Sequence, residues 1–213
     1  MGEMQNTLER LLGIAGRLSR KTLPFPRVND VVSSGFKTEV ERVYRGLGGV
    51  LPSLPLNLRS GDIEFDGVAI ELDECLHFNR YRSMTLTSAI YAELPRFPKD
   101  AYTRHCFERE ESCLRAGSYG GKWSNASCET QFGPASPPGQ LLGNGSPRWK
   151  QRAFYDFVKD LSPLLLGVTM VRVAVWETVM ESGRSRTVEE VLTAPSVASS
   201  ASLAALIKAR AGR

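Results

Sequence analysis

The sequence predicts a single α/β domain built as helix, β-hairpin, helix and strand in succession, with a cysteine-containing insertion. Three observations carry this. Apolar residues recur at helical spacing from Phe36 to Leu47, two apolar strands flank the Asp66-Gly67 pair, and a second helical stripe from Trp149 to Leu161 leads into the β-branched run VTMVRVAVW. Helix side chains return to one face about every 3.6 residues and strand side chains alternate, so the two patterns separate on spacing.

Bulk properties set the bounds. A chain of 213 residues is long enough for one well-buried core and short for two full domains. Its composition, 42% hydrophobic and 23% charged, is ordinary globular usage. No window reaches the roughly 18 apolar residues that a membrane span needs. Acidic residues precede the first apolar stretch, which reads as an amphipathic helix and not as a signal peptide. The expectation is a cytoplasmic protein with no membrane contact, whose Cys75, Cys106, Cys113 and Cys128 are reduced thiols or metal ligands. A net charge of +4, with arginine well ahead of lysine, permits nucleic-acid binding without requiring it.

Residues 1–30 read as an N-terminal helix and linker. Leu8, Leu11, Leu12 and Leu18 lie on or near one side of a helix over the first twenty residues, and Pro24 and Pro26 end it. The domain proper covers 31–194. Its first helix, Phe36 to Leu47, carries Glu39 beside the apolar stripe and stops at Gly48 and Gly49. After the proline-punctuated LPSLPLNLRSG comes the hairpin, because Asp-Gly is a favoured two-residue turn. A helix is expected from His77 to Leu94, with Phe78, Tyr81 and Ile90 inward, and another from Lys99 to Ala116. An insertion spans roughly 95–148, and its part from Ser118 to Pro147 reads as a long Gly-, Ser-, Asn- and Pro-rich loop. The helix RWKQRAFYDFVKDL turns Lys150, Arg152, Asp156 and Lys159 away from its apolar stripe, and a buried strand follows. Residues 195–213 are rich in small side chains and read as a flexible tail or weak terminal helix.

The chemistry concentrates between Asp62 and His77. Asp62 and Glu64 fall on the first hairpin strand, and Glu71 and Asp73 share one face of the second. Two carboxylates on an otherwise apolar strand are costly to bury without compensating positive charge, and a divalent cation is the simplest compensation. Magnesium takes one or two carboxylates plus waters and substrate phosphates. The alternative is an amphipathic surface hairpin with solvated acids.

The arrangement Asp62, Glu71, Asp73, then His77 and Phe78 resembles the very-short-patch-repair-endonuclease-like branch of the PD-(D/E)XK nucleases and its uncharacterised relatives. The resemblance resumes at Arg152 and at Val171 to Trp176 and covers roughly half the chain. It implies a restriction-endonuclease-like core and a nuclease acting on DNA in repair, restriction or defence. It further implies magnesium, or manganese in its place, held by Asp62, Glu71 and the Leu72 carbonyl. Water activated by the metal would attack phosphorus in line, and His77 would position it or take its proton. Arg80, Arg82, Lys150 and Arg152 are candidate nucleic-acid contacts. Two positions depart from the pattern: Asp73 stands where the family name has lysine, and Glu74 where the relatives have glycine. A catalytically silent domain of this fold, binding nucleic acid or a protein partner, is the second expectation. A homodimer is compatible with either.

The insertion adds His105, Cys106, Cys113 and Cys128, which could close a tetrahedral structural zinc site supporting assembly. Six and then fourteen residues separate the cysteines, without the tight C-x-x-C pair, so unliganded thiols remain the alternative. Gly117, Gly120, Gly121, Lys122 and Trp123 could touch DNA through backbone amides and a stacking ring.

Overall fold

The structure is a computed structural model in which residues 2–19, 23–58 and 63–213 are described. In chain order its helices and strands are α1 (Glu3–Ala15), α2 (Val28–Val32), α3 (Lys37–Gly46), β1 (Ile63–Phe65), β2 (Val68–Asp73), α4 (Arg80–Leu86), α5 (Lys99–Glu108) and α6 (Glu110–Gly117). There follow α7 (Gly120–Trp123), α8 (Ala126–Phe132), α9 (Pro147–Asp160), α10 (Ser162–Leu166), β3 (Met170–Ala174), β4 (Thr178–Glu181), β5 (Arg184–Thr187), α11 (Val188–Thr193) and α12 (Ser199–Ala211). The protein is mixed α/β, with two compact units.

One unit comprises Met1–Phe25, Arg59–Glu74 and Gly167–Arg213 and carries the sheets. The anticipated hairpin is present: β1 pairs antiparallel with β2, Ile63 opposite Ile70. Its turn places Asp66 at φ 50° and Gly67 at φ 75°, the left-handed pair that a tight hairpin requires. β2 then pairs in parallel with β3, Glu71 beside Arg172 and Asp73 beside Ala174. Parallel neighbours need a long crossover, and the Cys75–Leu166 stretch of the second unit occupies it in sequence.

Every residue of β2 is buried, which removes the solvated-hairpin alternative for Glu71 and Asp73. The pair β4 and β5, turned by Ser182 and Gly183 at φ 50° and 79°, was not anticipated. Of the two readings for 195–213, a flexible tail or a weak terminal helix, the structure has a helix, the 13-residue α12. It buries Leu203, Ala204 and Ile207, packs on α1, β3 and β4, and is tied to α1 by Ser200 Oγ donating to the Leu11 carbonyl at 2.7 Å. Small side chains here permit close packing, so their low hydrophobicity hid a core helix.

The other unit, Pro26–Leu58 and Cys75–Leu166, is helical. The helix expected from Phe36 to Leu47 is α3, and its Tyr44 ring packs against Phe132 and Phe154 with centroids 5.3 and 5.1 Å away. The continuous helix expected from His77 to Leu94 is three pieces: a 3-10 turn at Cys75–His77, α4, and a 3-10 segment at Ala89–Glu93. Asn79 and Ser88 cause the breaks. The Asn79 side chain accepts from the amides of Tyr81 and Arg82, and Ser88 Oγ from that of Ile90, so each residue starts a new helix. The single helix expected from Lys99 to Ala116 is likewise divided at Arg109 into α5 and α6.

Helix α9 packs against α3, α4, α7, α8 and α10 and is buried on nearly all sides. Lys150 and Asp156, which the pattern turned away from the core, are both buried. Among the described residues, no helix is long and apolar enough to cross a membrane.

Candidate metal centre

The 3-10 turn at Cys75–His77 follows β2 by one residue, and the sequence after it holds it in place. Asn79 Nδ2 donates to the Leu76 carbonyl at 3.2 Å, and Arg152 Nη1 donates to the same carbonyl at 3.3 Å. Four residues beyond Arg152, and so on the same face of α9, Asp156 accepts from His77: Nδ1 and Oδ2 are 2.7 Å apart. A carboxylate can only accept, so Nδ1 carries the proton, and in the neutral form of the ring the lone pair is on Nε2. That tautomer suits a metal ligand or a general base.

On β2, Glu71 and Asp73 point to one side, and Arg172 on β3, level with Glu71, points the same way. Arg172 Nη1 donates to Asp73 Oδ1 at 2.6 Å, with each side chain 1% exposed. The compensating charge that the acidic strand demands therefore includes a guanidinium.

Asp73, His77 and Asp156 form a group that could hold a metal ion. Their ligand-capable atoms all lie within 4.8 Å of one another, the two carboxylates are buried and the imidazole is half-buried. Two of the three were named from the sequence. Asp156 was missed because it was assigned to a solvated face, although an acid seven residues after Trp149 on a strongly apolar helix was a usable signal.

The other expected site residues fall out as follows. Asp62 lies outside the described residues. Glu71 is buried on β2 but is not in the group, and Leu72 lies within the β2–β3 ladder beside Val173. Arg80 forms a surface pair with Glu110, Nη2 to Oε2 at 2.7 Å.

Arg82 is corrected from a nucleic-acid contact to a core residue. Its side chain is 1% exposed, bonded to Asp160 at 2.7 Å and to the Tyr91 hydroxyl at 3.0 Å. Lys150 is corrected in the same sense: its buried ammonium donates to Asn144 Oδ1 at 2.5 Å and lies over the Tyr81 ring, and burial lowers its pKa. Trp123, the proposed stacking ring, is also buried. Arg152, half-buried beside the His77 turn, stays a candidate.

The zinc expectation is corrected too. Among the described residues, His105, Cys106, Cys113 and Cys128 do not converge into a metal-holding group. Burial pushes the Cys113 thiol up to about 12. Cys128 is used locally, accepting the Asn125 amide at 3.1 Å.

Hydrogen bonds order the insertion instead. Asn144 Nδ2 donates to the carbonyls of Phe132 and Pro134 at 2.9 and 2.7 Å. Trp123 Nε1 donates to the Ser136 carbonyl at 2.8 Å, and the Trp123 and Trp149 rings meet edge to face at 5.2 Å. The short helices α7 and α8 stand where a structureless loop was expected.

Fold and site thus define a mixed α/β protein with a metal-capable Asp-His-Asp group following a parallel sheet strand. The chain belongs to a family of unknown function (DUF7255), whose model matches residues 42–194. No curated protein and no solved structure matches it. The family match includes Asp73, His77, Asp156 and Arg172 and stops before α12.

Proposed function

We propose that this protein is a divalent-metal-dependent nuclease of PD-(D/E)XK type that hydrolyses phosphodiester bonds in DNA. The observation that carries the reading is the group of Asp73, His77 and Asp156, with the imidazole oriented by a carboxylate at 2.7 Å. An antiparallel hairpin followed, after intervening helices, by a strand parallel to its second member is compatible with the restriction-endonuclease-like core that the sequence resembles.

Asp73, His77 and Asp156 would hold a magnesium or manganese ion, which would supply Lewis acidity toward a phosphoryl oxygen. The chain's own residues do the rest. Asp156 fixes the tautomer of the His77 ring, whose Nε2 would then be its ligand atom, and Arg172 orients Asp73 by holding Oδ1. Arg152, beside the same turn, is the candidate phosphate contact.

The Arg172–Asp73 pair also favours a second reading. A guanidinium already compensates one acid, as expected of a silent domain that binds nucleic acid without cutting.

The deciding experiment incubates the protein with supercoiled plasmid and with single-stranded DNA, in magnesium, manganese or chelator, beside His77→Ala, Asp156→Ala, Asp62→Ala and Glu71→Ala. Metal-dependent nicking lost in His77→Ala and Asp156→Ala is the expected result. Nicking that survives both rejects this site, and DNA retention without cleavage selects the binding reading.

A further inference from the structure

We propose that Arg210, on the C-terminal helix α12, is a positioning residue for the Asp73 carboxylate, acting through the backbone of β3 and the side chain of Arg172. The proposal rests on the metal reading above and adds a residue beyond the family match.

Among the described residues β3 is an outer strand: in the order β1-β2-β3 one of its edges is laddered. In a parallel ladder alternate residues bond to the neighbouring strand, and β3 does so through the odd positions, as the Ala69 amide on the Thr169 carbonyl and the Val175 amide on the Asp73 carbonyl show. The even positions Arg172 and Ala174 therefore direct their backbone groups away from β2. Two side chains meet them there. Arg210 Nη1 donates to the Arg172 carbonyl at 2.7 Å, and Glu177 Oε2 accepts the Ala174 amide at 3.0 Å.

The same two side chains bond each other, Arg210 Nη1 to Glu177 Oε2 at 2.8 Å with a second contact between Nη2 and Oε1. The ion pair stands where a further strand would lie and bonds successive backbone groups of that edge. One of those groups belongs to the residue whose guanidinium holds Asp73 Oδ1. Fixing the main chain at Arg172 fixes the reach of its side chain, and with it the orientation of Asp73. Loss of a partner one step removed from a metal ligand, as Arg172 is, commonly changes metal affinity by about 10–100-fold, and Arg210, a step further out, takes the lower end of that range.

The test measures manganese affinity by electron paramagnetic resonance of the free ion for the wild type, Arg210→Ala, Arg210→Lys and Ser200→Ala, each confirmed folded by circular dichroism. Ser200→Ala removes a different α12 hydrogen bond, to the Leu11 carbonyl, and controls for general loosening. Arg210→Ala should weaken binding about tenfold or more, while Ser200→Ala leaves it unchanged. Arg210→Lys keeps the charge without the fork, should also weaken binding, and serves if the alanine variant does not fold. No manganese binding by the wild type overturns the metal reading and this proposal with it. Wild-type binding retained in both Arg210 variants, or weakened equally by Ser200→Ala, overturns the positioning role alone.

Discussion

Arg172 and Asp73 sit on adjacent parallel strands with Nη1 and Oδ1 2.6 Å apart, and neither side chain is more than 1% exposed. Removing one partner of such a pair leaves an uncompensated buried charge, whereas replacing both with apolar groups of similar size is often nearly neutral. Arg172→Met should cost about 3–5 kcal/mol, and the double replacement Arg172→Met with Asp73→Leu should recover most of it. Urea denaturation of the three variants measures this, and a double variant no more stable than the single contradicts it.

Asp156→Asn keeps the size of the His77 partner but permits the opposite tautomer, since an amide can donate as well as accept. Metal affinity or cleavage should fall by about 10–100-fold with little change in unfolding temperature. Calorimetric metal titration beside thermal unfolding separates the two effects.

Two arginines two residues apart should behave oppositely. Arg82→Ala breaks the core network with Asp160 and Tyr91 and should cost about 3–5 kcal/mol. Arg80→Ala loses only a solvent-screened pair with Glu110 and should cost at most about 1 kcal/mol. Equal losses in chemical denaturation would refute the core assignment of Arg82.

His105 gives the protein an acid-sensitive component of stability. Burial, with nearby Arg104 contributing, lowers its pKa below the usual 6.5. The unfolded chain therefore takes up the proton first, so stability declines as pH falls below 6.5 and levels off once the folded-state pKa is passed. Glu39, Glu110 and Glu181 have lowered pKa values, so their contribution is present above 4.5 and is lost only below it. His105→Phe should abolish the first decline and leave the second. Denaturation midpoints across this pH range report both.

Asn144 anchors the insertion by bridging two carbonyls and accepting from Lys150. Asn144→Ala should raise amide exchange across 133–146, and zinc chelation of the wild type should not. Chelator-induced loosening of that segment would restore the zinc site.

Legibility followed the strength of local signals. Asp66-Gly67 between alternating strands has one good backbone solution, so the hairpin could be read directly, as could the stripes of α3 and α9 and the β-branched β3. The breaks at Asn79, Ser88 and Arg109 were not legible because cap residues and continuing helix residues overlap in type. In the site, Asp73 and His77 were visible from one short stretch of chain. Asp156, Arg172 and Arg210 were not, since each acquires its role from a partner between 38 and 99 residues away in sequence.

The sheet-bearing unit is assembled from three stretches, ending with Gly167–Arg213, while the helical unit is finished at Leu166. Synthesis proceeds from the N-terminus, and domains generally fold as their parts emerge from the ribosome. The helical unit can therefore form while β1 and β2 still lack β3. Until α12 emerges, the β3 backbone at Arg172 has no Arg210 to cover it. The interval between those two events is when the nascent chain is most exposed to mispairing, and its length is set by translation speed over residues 167–213.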